Sequence, residues 1–294
     1  MTSWIEIIQK NFPEQFFPNF PLYTLSRMQI GGRGGGLLFL RNSTDVKKFI
    51  KIQSENCIPF TVLGNGSNTI FQDRFYPGVI VKLKDEFEKI EKVGQKTYFI
   101  GAGVKINHLM KFLEEENLAG MEELAGIPGT IGGSLTMNAG ANNYCIGDSV
   151  TKVWVWEGGG EETISPDFSY RRGVNTGGII LGCWVRLIPS NKEKIKKKIR
   201  EIIQKRKEKF PLKFPSCGCV FKNPSKEVSA GYLIEKAGLK GRRIGGVMVS
   251  PLHANFIVKI GPASFRDFIT LVELIKREVE KKFGILLDLE VVIV

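Results

Sequence analysis

The sequence predicts an α+β fold divided into two or three subdomains, on three observations. Its 294 residues are 43% hydrophobic, enough to bury a sizeable core. Short apolar runs of strand length are entered or left through glycine-rich turns at 31–36 and 64–69. Apolar residues at helical spacing recur between the strands and along a long segment near the end of the chain, 262–283.

In chain order, Leu37-Leu-Phe-Leu40 reads as a strand entered through the glycine turn, and Ser43 and Thr44 cap a helix with Val46, Phe49 and Ile50 on its apolar side. Ile58-Pro-Phe-Thr-Val-Leu63 is the next strand, running into Gly64-Asn-Gly-Ser-Asn-Thr69, a loop of glycines and small hydrogen-bonding side chains. Segments 78–83 and 97–100 are short strands. Ile106, Leu109, Met110 and Leu113 mark one face of a helix that also carries His108, a surface or packing residue with no acid or cysteine at ligand spacing. A strand at 150–156, a turn at Gly158-Gly-Gly160 and a strand at 179–187 follow. Segment 230–238 is a short helix, and His253 and Asn255 order a turn before the next strand. Phe268, Val272, Ile275 and Val279 form the buried side of the 262–283 helix. In the final strand Ile285, Leu287, Leu289, Val291 and Ile293 alternate with a second face holding Asp288, Glu290 and Val292.

Segment 125–141, Ala-Gly-Ile-Pro-Gly-Thr-Ile-Gly-Gly-Ser-Leu-Thr-Met-Asn-Ala-Gly-Ala, reads as a loop rather than a helix or strand. Gly126, Gly129, Gly132, Gly133 and Gly140 supply positive φ or a missing Cβ, and Pro128 stiffens the first turn. Successive backbone N–H groups are then expected to face an anion, and a diphosphate fits. A tight structural loop is the alternative. The 64–69 loop suggests the other side of the same diphosphate. There is no G-x-x-x-x-G-K-[ST] and no G-x-G-x-x-G, which makes P-loop and ordinary dinucleotide Rossmann readings weak.

The net charge of +12 raises the question of nucleic acid, but most of it sits in one helix. Residues 191–209 carry ten Lys or Arg against three Glu, with Ile195, Ile199, Ile202 and Ile203 as the docking stripe. Solvated lysines on a surface helix are the ordinary case, so no nucleic-acid partner is expected. The opening residues lack a charged n-region followed by an apolar core, and no apolar run approaches the ~20 residues of a bilayer span. The expectation is a cytoplasmic protein without membrane insertion. Five cysteines without zinc-type C-x-x-C pairs suit a reducing compartment, and no metal is expected.

Segment 125–141 closely resembles the pyrophosphate-binding segment of the UDP-N-acetylenolpyruvoylglucosamine reductase family. Ile30 to Gly32 and Gly64 to Asn68 are similar to the family's first two flavin-contacting segments, and the resemblance extends in order to Glu290. It implies an FAD-binding fold of the vanillyl-alcohol-oxidase / p-cresol-methylhydroxylase type in two subdomains, 1–70 joined by 285–294 and 71–189, plus a C-terminal α+β substrate-binding domain at 190–284. The cofactor-binding residues it implies are Gly64, Asn65, Gly66, Ser67, Asn68, Gly126, Ile127, Pro128, Gly129, Thr130, Gly132, Gly133, Asn138 and Gly140. In Phe168-Ser-Tyr-Arg-Arg172, Arg171 matches the arginine that faces the substrate carboxylate, with Arg172 in reserve and a surface arginine pair as the alternative. The short run from Arg171 to the next strand resembles the shorter class of the family, which lacks the substrate-covering tyrosine loop.

Cys219 matches the family's proton-donating serine, and a thiol, with reference pKa ~8.5, is a willing acid where burial keeps it neutral. A Cys217/Cys219 metal or redox pair is the competing reading. Lys222 and Asn223 match positions lining the substrate site, and Glu290 matches the catalytic glutamate. Arg33, Arg172, Phe210 and Val292 depart from the family pattern.

The implied activity uses non-covalent FAD and NADPH to reduce UDP-N-acetylglucosamine enolpyruvate to UDP-N-acetylmuramic acid, as a monomer. Hydride reaches C3, Cys219 protonates C2, Arg171 stabilises charge at the carboxylate and Glu290 assists. Another flavin oxidoreductase of the same fold and a non-enzymatic nucleotide or polyanion binder are the alternatives.

Overall fold

The structure, a computed structural model, describes residues 3–141 and 144–294. Met1 and Thr2 of the opening segment read for a leader lie outside the described residues. By chain contact the protein divides into two compact units. One comprises Met1–Asn19, Gly35–Asn65 and Pro77–Lys205; the other comprises Phe20–Gly34, Gly66–Tyr76 and Arg206–Val294. The mixed α+β content agrees with the sequence reading.

The first unit holds two larger sheets. One has the order Phe16–Pro21, Arg33–Leu40, Tyr76–Leu83, Phe60–Val62, and its last two strands run parallel, with Phe60 opposite Val79 and Val62 opposite Val81. Helix α1 (Trp4–Asn11) and helix α2 (Ser43–Glu55) supply Ile8, Val46, Phe49 and Ile52 to the core beneath it. The cap of α2 differs from the sequence reading: Asn42, not Ser43 or Thr44, accepts the Asp45 N–H at 2.9 Å. Asparagine is as good a cap as serine, and its extended φ of −154° leaves Ser43 already inside the helix.

The other sheet is antiparallel, in the order Gly160–Ile164, Val150–Glu157, Ile179–Arg186, Thr97–Gly101, Ile90–Lys92. Helix α3 (Ile106–Glu116) packs Leu109, Met110 and Leu113 against it, as their spacing predicts, while His108 is exposed. Ile195, Ile199 and Ile202 of the basic helix, Lys192–Lys209, enter the same core. One lysine of that helix has a specific duty: Lys198 lies 3.9 Å from the buried carboxylate of Glu122 and 3.3 Å from Glu123.

The second unit is built on a four-stranded antiparallel sheet, Ser216–Cys219, Phe256–Lys259, Val247–Val249, Arg243–Ile244. The long helix Phe265–Phe283 lays Phe268, Val272, Ile275 and Val279 on its core, capped by Ser264 and Asp267 at one end and by Gly284 at the other. The final segment pairs as a strand only at Val292–Ile293, which runs parallel to Thr69–Ile70. Its burial nevertheless alternates as expected: Leu287 and Val291 are buried while Asp288 and Val292 are exposed. Among the described residues no helix is long and apolar enough to cross a membrane, and no cluster of His, Cys, Asp or Glu is arranged to hold a metal ion.

Candidate active site

The glycine-dense segment is not a loop throughout. Ile131–Met137 forms a helix capped by Thr130, whose hydroxyl accepts the Gly133 N–H at 3.3 Å. Two glycines cost such a helix about 1 kcal/mol each relative to alanine, and burial of Ile131 and Leu135 offsets that. Closeness explains the first of them: a Cβ on Gly132 would lie 3.0 Å from the Cβ of Ala102.

The hydrogen bonds also correct the expectation of a row of free N–H groups. Gly129 donates to Ile127, Ile131 to Val104 and Gly132 to Ala102, all at backbone oxygens. The left-handed positions are Gly126, φ 75°, and the helix-ending Asn138, φ 43°.

Further donors come from the first loop. Among the described residues, the N–H groups of Gly64 and Asn65 donate no hydrogen bond. They line a cavity of about 460 Å³ in the first unit, shared with Thr130, Gly132 and Gly133 from the central segment. Gly64 lets the two segments close up, because a Cβ would come within 2.3 Å of the Thr130 hydroxyl oxygen and displace it. Asn65 is held by its own amide, which donates to the Pro128 carbonyl at 3.2 Å. A narrow glycine wall with unspent N–H groups fits the phosphates of a dinucleotide. The predicted Gly64, Asn65, Thr130, Gly132 and Gly133 are therefore brought together. Gly126, Ile127, Pro128 and Gly129 form the turn before them and do not line the cavity.

Asn138 is buried and its amide is spent on bracing. It donates to Ser169 O at 2.9 Å and accepts from Gly147 N at 3.2 Å. Gly173 N donates to Thr136 O at 3.3 Å and Val174 N to Leu135 O at 3.0 Å, so the segment around Arg171 is tied to the end of the central helix at three points. Arg171 itself sits in the left-handed region, φ 54°, its guanidinium 5.4 Å from the Tyr170 ring centre. Gly140 pairs with Cys145 in a two-residue ladder.

In the second unit, Cys219 and Glu290 come from adjacent segments: Glu290 N donates to Val220 O at 2.8 Å, and Phe221 pairs with Leu289. Asn68 joins them, donating from its amide to Glu290 O at 3.0 Å. Gly66 and Ser67 precede it in the same unit, and Gly66 O accepts the Arg27 N–H. The Lys222 N–H donates to Asp288 O at 2.9 Å, and Asn223 Oδ1 accepts the Ala230 N–H at 3.1 Å. Buried Asn255 clamps Phe221 from both sides, accepting its N–H at 2.9 Å and donating to its carbonyl at 2.8 Å. That is the ordering role its sequence position suggests.

Cys217 is a separate case from Cys219. It is buried, its thiol 3.4 Å from the Thr69 carbonyl and 3.8 Å from the Ser26 hydroxyl, and burial pushes its pKa up to about 11. A neutral, hydrogen-bonded thiol is a poor metal ligand and a poor redox partner. In the unfolded chain it would ionise near about 8.5. The stability it contributes is therefore complete below that pH and is lost as pH rises through about 11. The thermal unfolding midpoint is expected to fall across this window, and Cys217→Ala to flatten part of the fall. Cys183, buried and pushed up to about 12, and Tyr144, raised by burial, contribute to the slope that remains.

Sequence reasoning missed the far wall of the cavity: Lys82, Lys84, Lys105, Asn175 and Thr176. The signal available was position, since Lys82 and Lys84 stand at the carboxyl end of a strand parallel to the one that feeds Gly64.

The fold, its glycine-walled cavity and the family matches together define an FAD-binding oxidoreductase. Residues 35–164 match the model of an FAD binding domain, and residues 210–294 match that of the UDP-N-acetylenolpyruvoylglucosamine reductase C-terminal domain. A reductase of that name from Carboxydothermus hydrogenoformans is 38% identical over 97% of this chain and 96% of its own length. One from Syntrophobacter fumaroxidans is 35% identical over 92% of this chain and 81% of its own. The crystal structure of UDP-N-acetylenolpyruvylglucosamine reductase from Thermus caldophilus superposes with a TM-score of 0.80 at 32% identity, covering 93% of this chain and 97% of that one. Berberine bridge enzyme from Eschscholzia californica, 13% identical, shares the fold with a TM-score of 0.52 over 65% of this chain and 44% of its own. The chain belongs to the UDP-N-acetylenolpyruvoylglucosamine reductase family.

Proposed function

We propose that this chain reduces UDP-N-acetylglucosamine enolpyruvate to UDP-N-acetylmuramic acid for peptidoglycan synthesis, with Cys219, Arg171 and Glu290 as its catalytic residues. FAD, when bound, would supply the hydride relay between NADPH and C3 of the enol ether. Addition at C3 leaves charge at C2 and the adjoining carboxylate. Arg171 offers a fixed guanidinium to that carboxylate, a type of electrostatic stabilisation worth several kcal/mol. Cys219 delivers the proton to C2, and Glu290 supports that transfer by hydrogen bonding or relay. Lys222 and Asn223 line the nucleotide side, and Gly64, Asn65, Gly66, Ser67, Asn68, Thr130, Gly132 and Gly133 hold the cofactor.

The observation that carries this reading is the pairing of the Cys219 and Glu290 segments through Val220, within a chain of this family. Residues 1–70 with 285–294, and 71–189, are read as the two flavin-binding subdomains, and 190–284 as the substrate-binding domain. The protein is read as a cytoplasmic monomer.

The test is anaerobic. NADPH should bleach the flavin absorbance of the purified protein, and the enolpyruvyl nucleotide should restore it. Bleaching without recovery on adding that nucleotide would assign a different acceptor.

A further inference from the structure

The strands Phe60–Val62 and Tyr76–Leu83 run parallel, so their carboxyl ends open on the same side. One end continues into Gly64 and Asn65, the other presents Lys82, and all three line the same cavity in the first unit. Ligands of parallel sheets bind outside carboxyl ends of this kind.

Lys82 is out of place by ordinary rules. It is half-buried between the buried Val81 and Leu83, and among the described residues its ammonium makes no hydrogen bond and no ion pair. Its neighbours do not relieve it. Lys84 is committed to Glu88, with Nζ 2.8 Å from Oε1, and Lys105 is a further positive charge on the exposed side of the same wall. Three lysines thus face one glutamate, and the glutamate is already paired. Removing an ammonium from water without a counter-charge is costly, and a site that keeps one awaits an anion.

We propose that Lys82 is the cofactor's phosphate-binding cation, donating to the dinucleotide diphosphate that the Gly64 and Asn65 N–H groups also receive. This rests on the reading of the chain as an FAD enzyme. A diphosphate is the part of that cofactor whose chemistry calls for an ammonium; the flavin ring and the adenine are neutral. Lys105 adds long-range attraction, and Lys84 is neutralised by Glu88.

Burial first, then Lys84 and Lys105, lower the Lys82 pKa, while Glu88 opposes them. A bound diphosphate would raise it again, so cofactor affinity should fall as pH climbs through the depressed value.

The experiment follows FAD release from the holoprotein by the rise of flavin fluorescence on dilution, for the parent, Lys82→Gln, Lys82→Arg and a surface control, Lys47→Gln. Losing one charge-assisted hydrogen bond should weaken FAD binding about ten- to a hundredfold in K82Q. K82R should stay within about threefold of the parent, and K47Q should not differ from it. Riboflavin, which has no phosphate, should bind K82Q and the parent alike.

Equal weakening for FAD and riboflavin, or no weakening of FAD, would overturn the assignment. Should K82Q not fold, release from the parent decides: it must accelerate with added salt and with rising pH, and a flat response rejects Lys82. A parent protein that takes up no FAD at all refutes the enzyme reading itself, a result distinct from either.

Discussion

Replacing Cys219 with alanine is expected to leave NADPH bleaching of the flavin at the parent rate and to slow reoxidation by the enolpyruvyl nucleotide about a hundred- to ten-thousandfold. Hydride donation to the cofactor needs no proton from the protein, whereas protonation of C2 does, so the two half-reactions should separate in stopped-flow absorbance. Cys217 cannot take over. It is two residues away on the same strand, but it is buried against Thr69 and holds its proton to about 11. Cys219, half-buried beyond an irregularity in the strand register, is the accessible thiol of the two. Cys219→Ser should keep appreciable activity, because a hydroxyl can deliver the same proton. Reoxidation of the alanine variant at the parent rate would remove Cys219 from the mechanism.

Arg171 should show opposite effects on turnover and stability. Its left-handed backbone, φ 54°, costs a residue with a Cβ about 1–2 kcal/mol. The conformation is imposed by the bonds exchanged between Ser169 and Arg172 and by the amide of Asn138. Arg171→Gly relieves that strain and removes the guanidinium together. We expect its thermal midpoint to match or exceed that of the parent, and its turnover with the enolpyruvyl nucleotide to fall about a hundred- to a thousandfold. Arg171→Lys keeps charge but loses the planar fork, and should fall in between. A glycine variant that is less stable yet fully active would show that the arginine serves packing, not the reaction.

The helices were legible where one force dominates. Leu109, Met110 and Leu113, or Phe268, Val272, Ile275 and Val279, are spaced by helical period and buried accordingly. Segment 125–141 was misread because local propensity and tertiary contact disagree there. Gly132 and Gly133 argue against a helix, and the burial of Ile131 and Leu135, with Gly132 packed tightly on Ala102, decides for one. The final strand was legible as an alternation of faces, although it pairs over only two residues.

Among the candidate residues, those of the first loop and of the Cys219 and Glu290 segments stand out in the sequence only through resemblance to a family. Lys82 was not, since nothing local distinguishes it from the protein's many solvated lysines. What marks it is the parallel register that carries its strand end beside Gly64, a pairing that no short window of sequence contains.

The pairing of Val292–Ile293 with Thr69–Ile70 bears on how the polypeptide is made. Phe20–Gly34 and Gly66–Tyr76 emerge from the ribosome early, yet the unit they join is otherwise composed of Arg206–Val294. Met28, Ile30 and Ile70 must wait without their core partners until residues as late as Leu287 and Val291 have been synthesised. Long-range closure of this kind is slow and leaves apolar surface uncovered in the interval. Translation that stalls before the last helix therefore releases a chain whose second core lacks Phe268, Leu271, Val272, Ile275 and Val279, a ready client for chaperones and proteases.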